Sequence, residues 1–434
     1  MRRNILLAAV AIGVQSAFAS PTLHRREPQH GGHGGQPQDA KSPGGGEMGG
    51  MGGMGGMTSG MSGGLIDYML QSEATPALLQ MSIGYMEKTR LAKTMAAEAT
   101  MKRPGVKRMQ LWYGPFDVVT AADRKKTPNS NLQGMDPAGT TFATQAENFP
   151  GDMTVLKGSV SLVYEDGSPA DVNTGVYNHH VVFADTAKRP VALVSCPNQK
   201  AKFTLPISVF LAVGEDGGKY LYAQDDPTFD GGYYVAKGDI MYLTAELVNY
   251  TNEKKLVYAK VDFEYLPGKG KLEVTSENLS VTNCDGSIGI RPEKGQKKFS
   301  VASKGMTFQR DGYMFGIRGH LHDGGVSIPV MINNKTVCES KASYMDKSDA
   351  KGTWAALNKM STCDELIPVK KGDVLSLAAN YDLDAHPART SGGGEAEEMG
   401  LIAFSMALKP DPAADAAAAK AKSGGLLGML GLGR

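Results

Sequence analysis

The sequence lacks several features that would place it in a common class. It carries 46 basic and 45 acidic residues, a formal net charge of +1, so it has no basic excess of the kind that a nucleic-acid partner requires. It contains no His-Glu-x-x-His pair and no Gly-Lys-Ser/Thr phosphate loop. These absences argue against nucleic-acid binding, the commonest zinc peptidase site and P-loop nucleotide chemistry.

Long apolar runs are also missing. The most apolar stretch, residues 5–14, is shorter than the roughly 20 residues that span a bilayer. It follows Met1-Arg2-Arg3 and precedes Ala17-Phe18-Ala19, which is the three-part pattern of a secretory signal peptide over residues 1–19. We therefore expect an exported protein, free in the extracellular space or associated with the cell wall, without stable membrane insertion.

Cysteine is scarce, and export makes disulfides permissible. Three pairings of the four cysteines are arithmetically possible. From the spacing we expect Cys338 to pair with Cys363 and Cys196 to pair with Cys284. Three glycosylation sequons fit the same secretory route, and they begin at Asn249, Asn278 and Asn334.

The N-terminal part divides into two segments of different composition. Residues 20–64 are rich in Gly and Met and are predicted to be disordered. Their methionines could capture Cu(I), although a low-complexity linker explains them as well. Residues 65–108 are predicted to contain a helix, because Leu91 and Met95 continue an apolar pattern of helical spacing. This segment is either a propeptide removed at a dibasic site or a piece that packs on the body, and we expect the fold to tolerate its deletion.

From Met109 the chain shows short strand-like runs separated by turn dipeptides. This pattern predicts a mainly β protein with two tandem antiparallel β-sandwich, jelly-roll-like domains. The predicted domains are residues 109–268 and 269–410, and residues 411–434 form a low-complexity tail.

The most informative stretch is Arg318-Gly319-His320-Leu321-His322-Asp323-Gly324-Gly325. Side chains two apart on a strand point the same way, so His320 and His322 share a face. Two such imidazoles can bind one transition metal, although two solvated histidines would give the same pattern. The Asp-Gly-Gly turn that follows places the pair near a strand end, where functional sites often lie.

A second pair, His179-His180, lies in the first predicted domain. Adjacent residues on a regular strand face opposite sides, so these two can share a metal only at a bulge or a strand end. Further along, Met399 opens an apolar strand after a Gly-rich loop, and its thioether is either a packing group or a soft metal ligand.

The order His-His, His-x-His and then Glu-Met resembles that of the copper type II, ascorbate-dependent monooxygenases, which include peptidylglycine hydroxylases and dopamine β-hydroxylase. The resemblance implies two β-sandwich domains, each binding one copper, with a solvent gap between them. It implies that His320, His322 and Met399 bind the oxygen-activating copper, and that His179 and His180 are ligands of the electron-supplying copper.

One position departs from that pattern. The place that matches the family's third histidine on the first copper holds Asn249, and an amide is a poor substitute for imidazole. We therefore expect one copper per chain, in the second domain. Residues 111–408 also resemble the stress up-regulated nodulin (Nod-nineteen) family, through the motifs at 112–116, 174–180, 319–325 and 398–400.

Two classes of function remain open. The protein is either a copper-dependent monooxygenase driven by a reductant, or a non-catalytic secreted or wall-associated stress protein that keeps the fold. In both cases the expected partner is a small molecule, a peptide or a wall-derived ligand, and not nucleic acid.

Overall fold

A computed structural model describes most of the chain after residue 82. The described residues are 83, 85–126, 138–188, 193–197, 208–285, 289–290, 292–293, 295–345, 355–391, 394–395 and 398–411. The predicted signal peptide, the Gly/Met tract and residues 412–434 of the predicted tail lie outside them.

Strands account for most of the described residues, as the turn-separated apolar runs predict. The strands of the first half are β1 (Lys88–Thr89), β2 (Leu91–Ala97), β3 (Lys107–Val118), β4 (Thr140–Ala146), β5 (Met153–Val163), β6 (Val176–Asp185), β7 (Val194–Ser195), β8 (Ser208–Val213), β9 (Lys219–Leu221), β10 (Gly231–Val235), β11 (Met241–Asn249) and β12 (Lys255–Pro267). One short helix, α1 (Ala121–Lys126), and a 3₁₀ turn (Val172–Thr174) interrupt them.

The second half continues in the same manner. Its strands are β13 (Leu272–Ser280), β14 (Gly289–Ile290), β15 (Lys298–Ala302), β16 (Met306–Phe308), β17 (Gly312–Leu321), β18 (Gly325–Ile332), β19 (Lys335–Tyr344), β20 (Leu357–Met360), β21 (Thr362–Cys363), β22 (Ile367–Val369), β23 (Val374–Asp382), β24 (Thr390–Ser391), β25 (Gly394–Glu395) and β26 (Glu398–Leu408). A second 3₁₀ turn spans Asn283–Asp285. None of the described helices is long and apolar enough to cross a membrane.

The strands form two sandwiches that share one sheet. A five-stranded sheet has the order β1-β4-β11-β6-β8, and a seven-stranded sheet contains the path β20-β19-β18-β23-β16-β7 with β15 beside β23. Both pack against a twelve-stranded sheet with the path β2-β3-β12-β5-β10-β13-β26-β17-β21. The predicted mainly β, two-sandwich fold is therefore present, with one continuous sheet as the common layer.

Each sandwich has its own apolar core. Buried and more exposed residues alternate along β23, because one face of that strand packs inward. The first core includes Phe183, Phe210 and Phe263, and the second includes Met314, Leu375 and Phe404. Burying each of these large side chains contributes roughly 1.5–3 kcal/mol, so most of the stabilisation comes from these two layers.

The two sandwiches meet at β13. This strand pairs in parallel with β10, through Gly231 and Leu272, and antiparallel with β26, through Val274 and Ala407. The strand β7, from the first half of the chain, pairs with β16 in the seven-stranded sheet. The predicted boundary between residues 268 and 269 falls in the short link between β12 and β13, but main-chain hydrogen bonds cross it.

The disulfides have the pairings that the spacing favours. Cys196 bonds Cys284 across 88 residues, and Cys338 bonds Cys363 across 25 residues. Cys196 follows β7 directly, so its disulfide ties that strand to the segment after β13. Closing loops of this size removes unfolded-state entropy and stabilises the fold by about 3–5 kcal/mol each.

The prediction of a helix over residues 65–101 is wrong for most of the described part of that segment. Ile83 is helical, but Leu91–Ala97 form strand β2, which pairs with β3. Leu91 and Met95 lie four apart, a spacing that suits one face of a strand as well as a helix. The amides of Thr100 and Met101 also donate to the buried Glu264 carboxylate at 2.8 Å, so this segment is part of the body and its deletion would expose an edge and a buried charge.

Candidate metal centre

The first histidine pair sits at a β-bulge between β6 and β11. His180 lies opposite Glu246 and Asn178 lies opposite Leu247, so His179 is the extra residue. A bulge re-aims one side chain, and here it lets two adjacent residues face the same side. The two imidazole rings are consequently stacked with their centroids 4.5 Å apart.

Glu246 completes this group from the neighbouring strand. Its Oε2 lies 3.1 Å from Nδ1 of His179 and 3.7 Å from Nε2 of His180. The carboxylate side chain is 2% exposed, and the two imidazoles are 4% and 18% exposed. One donor atom from each of the three residues lies within 4.8 Å of the other two, so the group can hold a metal ion. We call these three residues the first donor set.

The second pair lies at the end of β17. His320 and His322 have their ring centroids 5.5 Å apart and their planes perpendicular. Both line one cleft. Gly324 lies in the turn between β17 and β18 with φ at +97°, a conformation that favours glycine, and the Gly325 amide donates to the His322 carbonyl at 3.0 Å.

An aspartate holds one of these rings in place. Nδ1 of His320 lies 2.8 Å from Oδ2 of Asp216, whose side chain is 2% exposed. Asp216 lies in the tight turn between β8 and β9, which is closed by a bridge between Gly214 and Gly217. The guanidinium of Arg318 donates to the Gly217 carbonyl and so fixes this turn against β17. With Nδ1 occupied by the carboxylate, His320 offers Nε2 as its ligand atom.

The two pairs meet at a single cleft, which His179 lines together with His320 and His322. The rings of His179 and His322 are 5.6 Å apart between centroids, and they tilt by 47°. The cleft has a free volume of about 10 Å³, room for roughly one water molecule. The resemblance implied two metal sites separated by a solvent gap, but here the histidines of both halves are in contact distance across the shared cleft.

Met399 lies beside the second pair along the backbone. The pairing of β17 with β26 ends at Leu321 opposite Gly400, so Met399 is the residue that comes next to His322. The amides of His322 and Met399 both donate to the hydroxyl of Tyr381, at 3.2 and 3.3 Å. Met399 itself is 3% exposed. The backbone register thus places Met399 next to His322, and a role for its thioether as a metal ligand stays a prediction.

Asn249 takes no part in the cleft. It is fully buried, and its Nδ2 donates to the carbonyls of Val118 and Glu253 at 3.0 and 2.7 Å. The residue of β11 that faces His180 is Glu246, three residues before Asn249. A glycan on Nδ2 would also break both hydrogen bonds, so the folded chain disfavours glycosylation there.

The other two sequons differ in exposure. Asn334 is exposed in the turn between β18 and β19, with φ at +61°. Asn278 is half-buried on β13, opposite Ala403. Glycosylation at these two positions stays a prediction, and Asn334 is the more accessible acceptor.

Of the two acidic residues beside the histidines, one could have been found in the sequence. Glu246 is the one charged residue in Met241-Tyr242-Leu243-Thr244-Ala245-Glu246-Leu247-Val248-Asn249, and a lone carboxylate in a buried strand needs a partner. Asp216 gave no such indication, because Asp-Gly is also the ordinary sequence of a turn.

Burial sets the protonation of two groups in the cleft. Desolvation, together with the neighbouring His179, lowers the pKa of His180 to about 3, so this imidazole is neutral, which is the form that binds metals. Desolvation raises the pKa of Glu215 to about 8, although the Asn178 amide, 3.1 Å from its Oε2, opposes the shift. The Glu215 carboxyl therefore holds its proton at neutral pH.

Comparison with known proteins supports a copper-oxygenase relationship. No family model matches the chain. It is 26% identical over 253 residues to "Probable copper-dependent oxygenase clz3" of Cochliobolus lunatus. The aligned region covers 58% of this chain and 78% of that protein. It is 24% identical over 253 residues to "Probable copper-dependent oxygenase M1" of a Phoma species, with 58% of this chain and 62% of that protein covered. The chain is thus a homologue of proteins named as copper-dependent oxygenases.

Solved structures add little. PNGase F of Flavobacterium meningosepticum, a glycosylasparaginase, is 9% identical with a TM-score of 0.29, and the match covers 73% of this chain and 96% of that one. PNGF-II is 9% identical with a TM-score of 0.33, and the match covers 74% of this chain and 66% of that one. Scores this low support no conclusion about fold or activity.

Proposed function

We propose that this protein is a secreted copper-dependent oxygenase whose metal is held in the histidine cleft. The observation that carries the proposal is the convergence of four histidines and Glu246. His179, His320 and His322 line one cleft, and His180 and Glu246 lie beside His179. The homology to proteins named as copper-dependent oxygenases supports the choice of metal and of reaction class. Secretion is supported by the predicted signal peptide and by the two disulfides.

The donor chemistry fits copper. Imidazole binds copper in both oxidation states, and a thioether such as that of Met399 favours Cu(I). A metal cation bound with the two imidazoles would also neutralise the Glu246 carboxylate, which is 2% exposed. Two histidines and one carboxylate are equally the donor set of non-haem Fe(II) oxygenases, so iron is the competing metal.

The chain's own residues would do the following in such a reaction. The first donor set and the second pair would hold the metal, and bound copper would supply the one-electron chemistry that dioxygen requires. Asp216 keeps the proton of His320 on Nδ1 and so fixes the ring orientation. Glu215 holds a proton at neutral pH next to the cleft. The small free volume excludes bulk water.

The proposed family and the proposed reductant rest on the sequence alone. Membership of the stress up-regulated nodulin family rests on the motifs around residues 174–180 and 319–325, and ascorbate as the reductant rests on the resemblance to the monooxygenases. A small molecule, a peptide or a wall-derived ligand remains the proposed substrate, taken from outside the cell.

The test is metal-dependent oxygen consumption by the purified secreted protein. Copper-loaded protein with ascorbate should consume oxygen faster than the same amount of free copper, and the iron-loaded protein should not. The variant Glu246→Gln should lose this activity. Its matched control is Glu264→Gln, since Glu264 is equally buried but bonds Thr100 and Met101, far along the shared sheet. A protein that ignores copper at low micromolar concentration would overturn the proposal.

A non-catalytic role is the second candidate, and one observation favours it. The cleft has room for about one water molecule, whereas another cleft, of about 140 Å³, lies among Arg108, Lys157 and Glu264 and has no histidine in its lining. A protein that binds copper tightly but consumes no more oxygen than free copper would be a metal store or carrier.

A further inference from the structure

We infer that the twelve-stranded sheet carries, on the face opposite the first core, a binding site for a small oxyanion, meaning a phosphate, sulfate or carboxylate group. The site is the cleft of about 140 Å³ that has no histidine in its lining, and we call it the lysine cleft. The residues that the argument uses are Arg108, Lys157, Ser159, Lys219, Asp262 and Glu264. Because none of them belongs to the histidine cleft, the inference does not depend on the proposed function.

The lysine cleft is built by cross-strand register, which sets six side chains in two rows. The first row is Lys219, Ser159 and Asp262, and the second row is Lys157, Glu264 and Arg108. Tyr220 and Phe263 lie between the two rows and belong to the first core. Since side chains alternate along a strand, both rows project from the opposite face of the sheet and meet there.

One of the two carboxylates in the cleft is already neutralised by the protein. Both oxygens of Asp262 accept from Arg108, Oδ1 from Nε at 2.8 Å and Oδ2 from Nη2 at 2.7 Å. Nε2 of Gln110 also donates to Oδ2, at 2.7 Å. Desolvation opposes ionisation, but these hydrogen bonds lower the pKa of Asp262. A bidentate arginine pair is strong, so Asp262 leaves the cleft's two lysines unpaired by it.

The second carboxylate is satisfied mainly by backbone and hydroxyl groups. Oε1 of Glu264 accepts from the amide and the hydroxyl of Thr100, both at 2.8 Å, and Oε2 accepts from the Met101 amide at 2.8 Å. Nζ of Lys157 lies further away, 3.4 Å from Oε1, and it donates to the Thr100 hydroxyl. An ammonium group has three donors, so Lys157 keeps at least one for a ligand.

Two further donors of the cleft are unused. Lys219 is exposed at the rim, and within the part of the chain that the structure describes no carboxylate oxygen lies within 4.0 Å of its ammonium group. The hydroxyl of Ser159, which lies next to Lys219 on the neighbouring strand, makes no hydrogen bond to any described residue. The cleft thus combines occupied acceptors with free donors, which is the complement of a ligand rich in acceptor oxygens.

Charge and space narrow the ligand to a small oxyanion. Three cations face two carboxylates, which leaves one positive charge in the cleft. A metal ion would have to displace the donors that Arg108 and Thr100 direct at the carboxylates, whereas an anion uses the donors that are free. An ammonium group binds phosphate and similar anions as a point charge. The free volume of about 140 Å³ holds several water molecules, and therefore one such group.

The experiment is isothermal titration calorimetry on the full secreted chain in a low-salt buffer. Inorganic phosphate, inorganic sulfate and glucuronate are titrated separately, which distinguishes a free inorganic ion from a sugar carboxylate. At least one of them should bind with a Kd of about 1 mM or tighter. Lys219→Gln should weaken that binding by about 10-fold or more, because it removes a charge-assisted hydrogen bond, and Lys219→Arg should retain it. The matched control is Lys335→Gln, an exposed lysine that begins β19 in the seven-stranded sheet, and it should change nothing.

Three results would overturn the inference. The first is that none of the three anions binds the unaltered protein. The second is that Lys219→Gln binds as tightly as the unaltered protein, since the anion would then lie elsewhere, for example on a bound metal. The third is an equal loss in Lys335→Gln, which would indicate general charge attraction. Ser159→Ala is a second variant, and it should weaken binding by a smaller factor of about 3-fold. Copper binding is measured on the same samples, and its absence would contradict the proposed function without affecting this inference.

Discussion

The first histidine pair lies on a bulged strand, whereas the second lies on the regular end of one. His179 and His180 are neighbours in sequence that share a face because the bulge gives β6 one residue more than β11. His320 and His322 are two apart and share a face because strands alternate. The first pair has its carboxylate, Glu246, as a potential ligand, and the second has Asp216 behind one ring.

This difference shows that a strand can present two histidines on one face in two ways. A regular strand places ligands by period alone, so that arrangement can be predicted from the sequence. A bulge depends on the partner strand, and it lets the first group gather three donors from two strands in a more buried place. We therefore expect the first donor set to bind its ion more tightly than the second pair.

The largest expected effect comes from removing a ligand of the first donor set. His179→Ala should weaken copper binding at the first donor set by more than about 100-fold, beyond the 10–100-fold that is typical of outer-shell changes. His320→Ala should leave copper binding at the first donor set in place. Competition titrations with a copper chelator measure both. An equal loss of copper affinity in the two variants would contradict the proposed difference between the pairs.

The second prediction concerns the aspartate behind the second pair. Asp216→Asn should weaken copper on that pair by about 10–100-fold, because an amide no longer holds the proton of His320 on Nδ1. The nitrogen hyperfine pattern of copper bound by the second pair should change, while that of copper bound by the first donor set should not. The matched control is Asp262→Asn, which removes an aspartate paired with Arg108. If copper binding is unchanged in Asp216→Asn, that carboxylate does not position His320.

A smaller and oxidation-state-selective effect is expected at Met399. Met399→Leu should weaken Cu(I) by about 10-fold and leave Cu(II) nearly unchanged, because a thioether is a soft ligand. Met406→Leu, on the same strand and fully buried, should affect neither. Equal effects of both substitutions on Cu(I) would indicate that Met399 only packs.

A separate prediction concerns the stability of the metal-free protein. Because the pKa of Glu215 is raised to about 8, the folded state binds a proton that the unfolded state releases above about pH 4.5. The free energy of unfolding should fall as pH rises towards 8, by at most about 1.4 kcal/mol per pH unit. Glu215→Gln should flatten this slope in denaturant titrations made with a chelator present.

A carboxylate of opposite behaviour serves as the control. Hydrogen bonds from Met101 and Thr100 lower the pKa of Glu264 despite its desolvation, so its contribution is lost as pH falls and not as it rises. Glu264→Gln should therefore leave the slope between pH 5 and about 8 unchanged. If Glu215→Gln also leaves it unchanged, the Glu215 carboxyl is ionised in the folded protein.

Much of the second site could be predicted from the sequence, because it depends on local rules. Alternation placed His320 and His322 on one face, and Asp-Gly-Gly marked the turn. The bulge at His179 could only be stated as a condition, since it depends on a partner strand some 65 residues away. The strand β2 was mistaken for a helix because Leu91 and Met95 fit both periods. The closeness of the two pairs depends on tertiary packing, which no local pattern encodes.

The position of β13 has a consequence for how the protein can be divided. This strand is hydrogen-bonded to β10 on one side and to β26 on the other. A fragment that ends at residue 268 would leave β10 as an unpaired edge, and an exposed edge of this kind promotes aggregation. The two sandwiches should therefore melt in one cooperative transition, and neither can serve as a separately exchangeable module in evolution or in engineering.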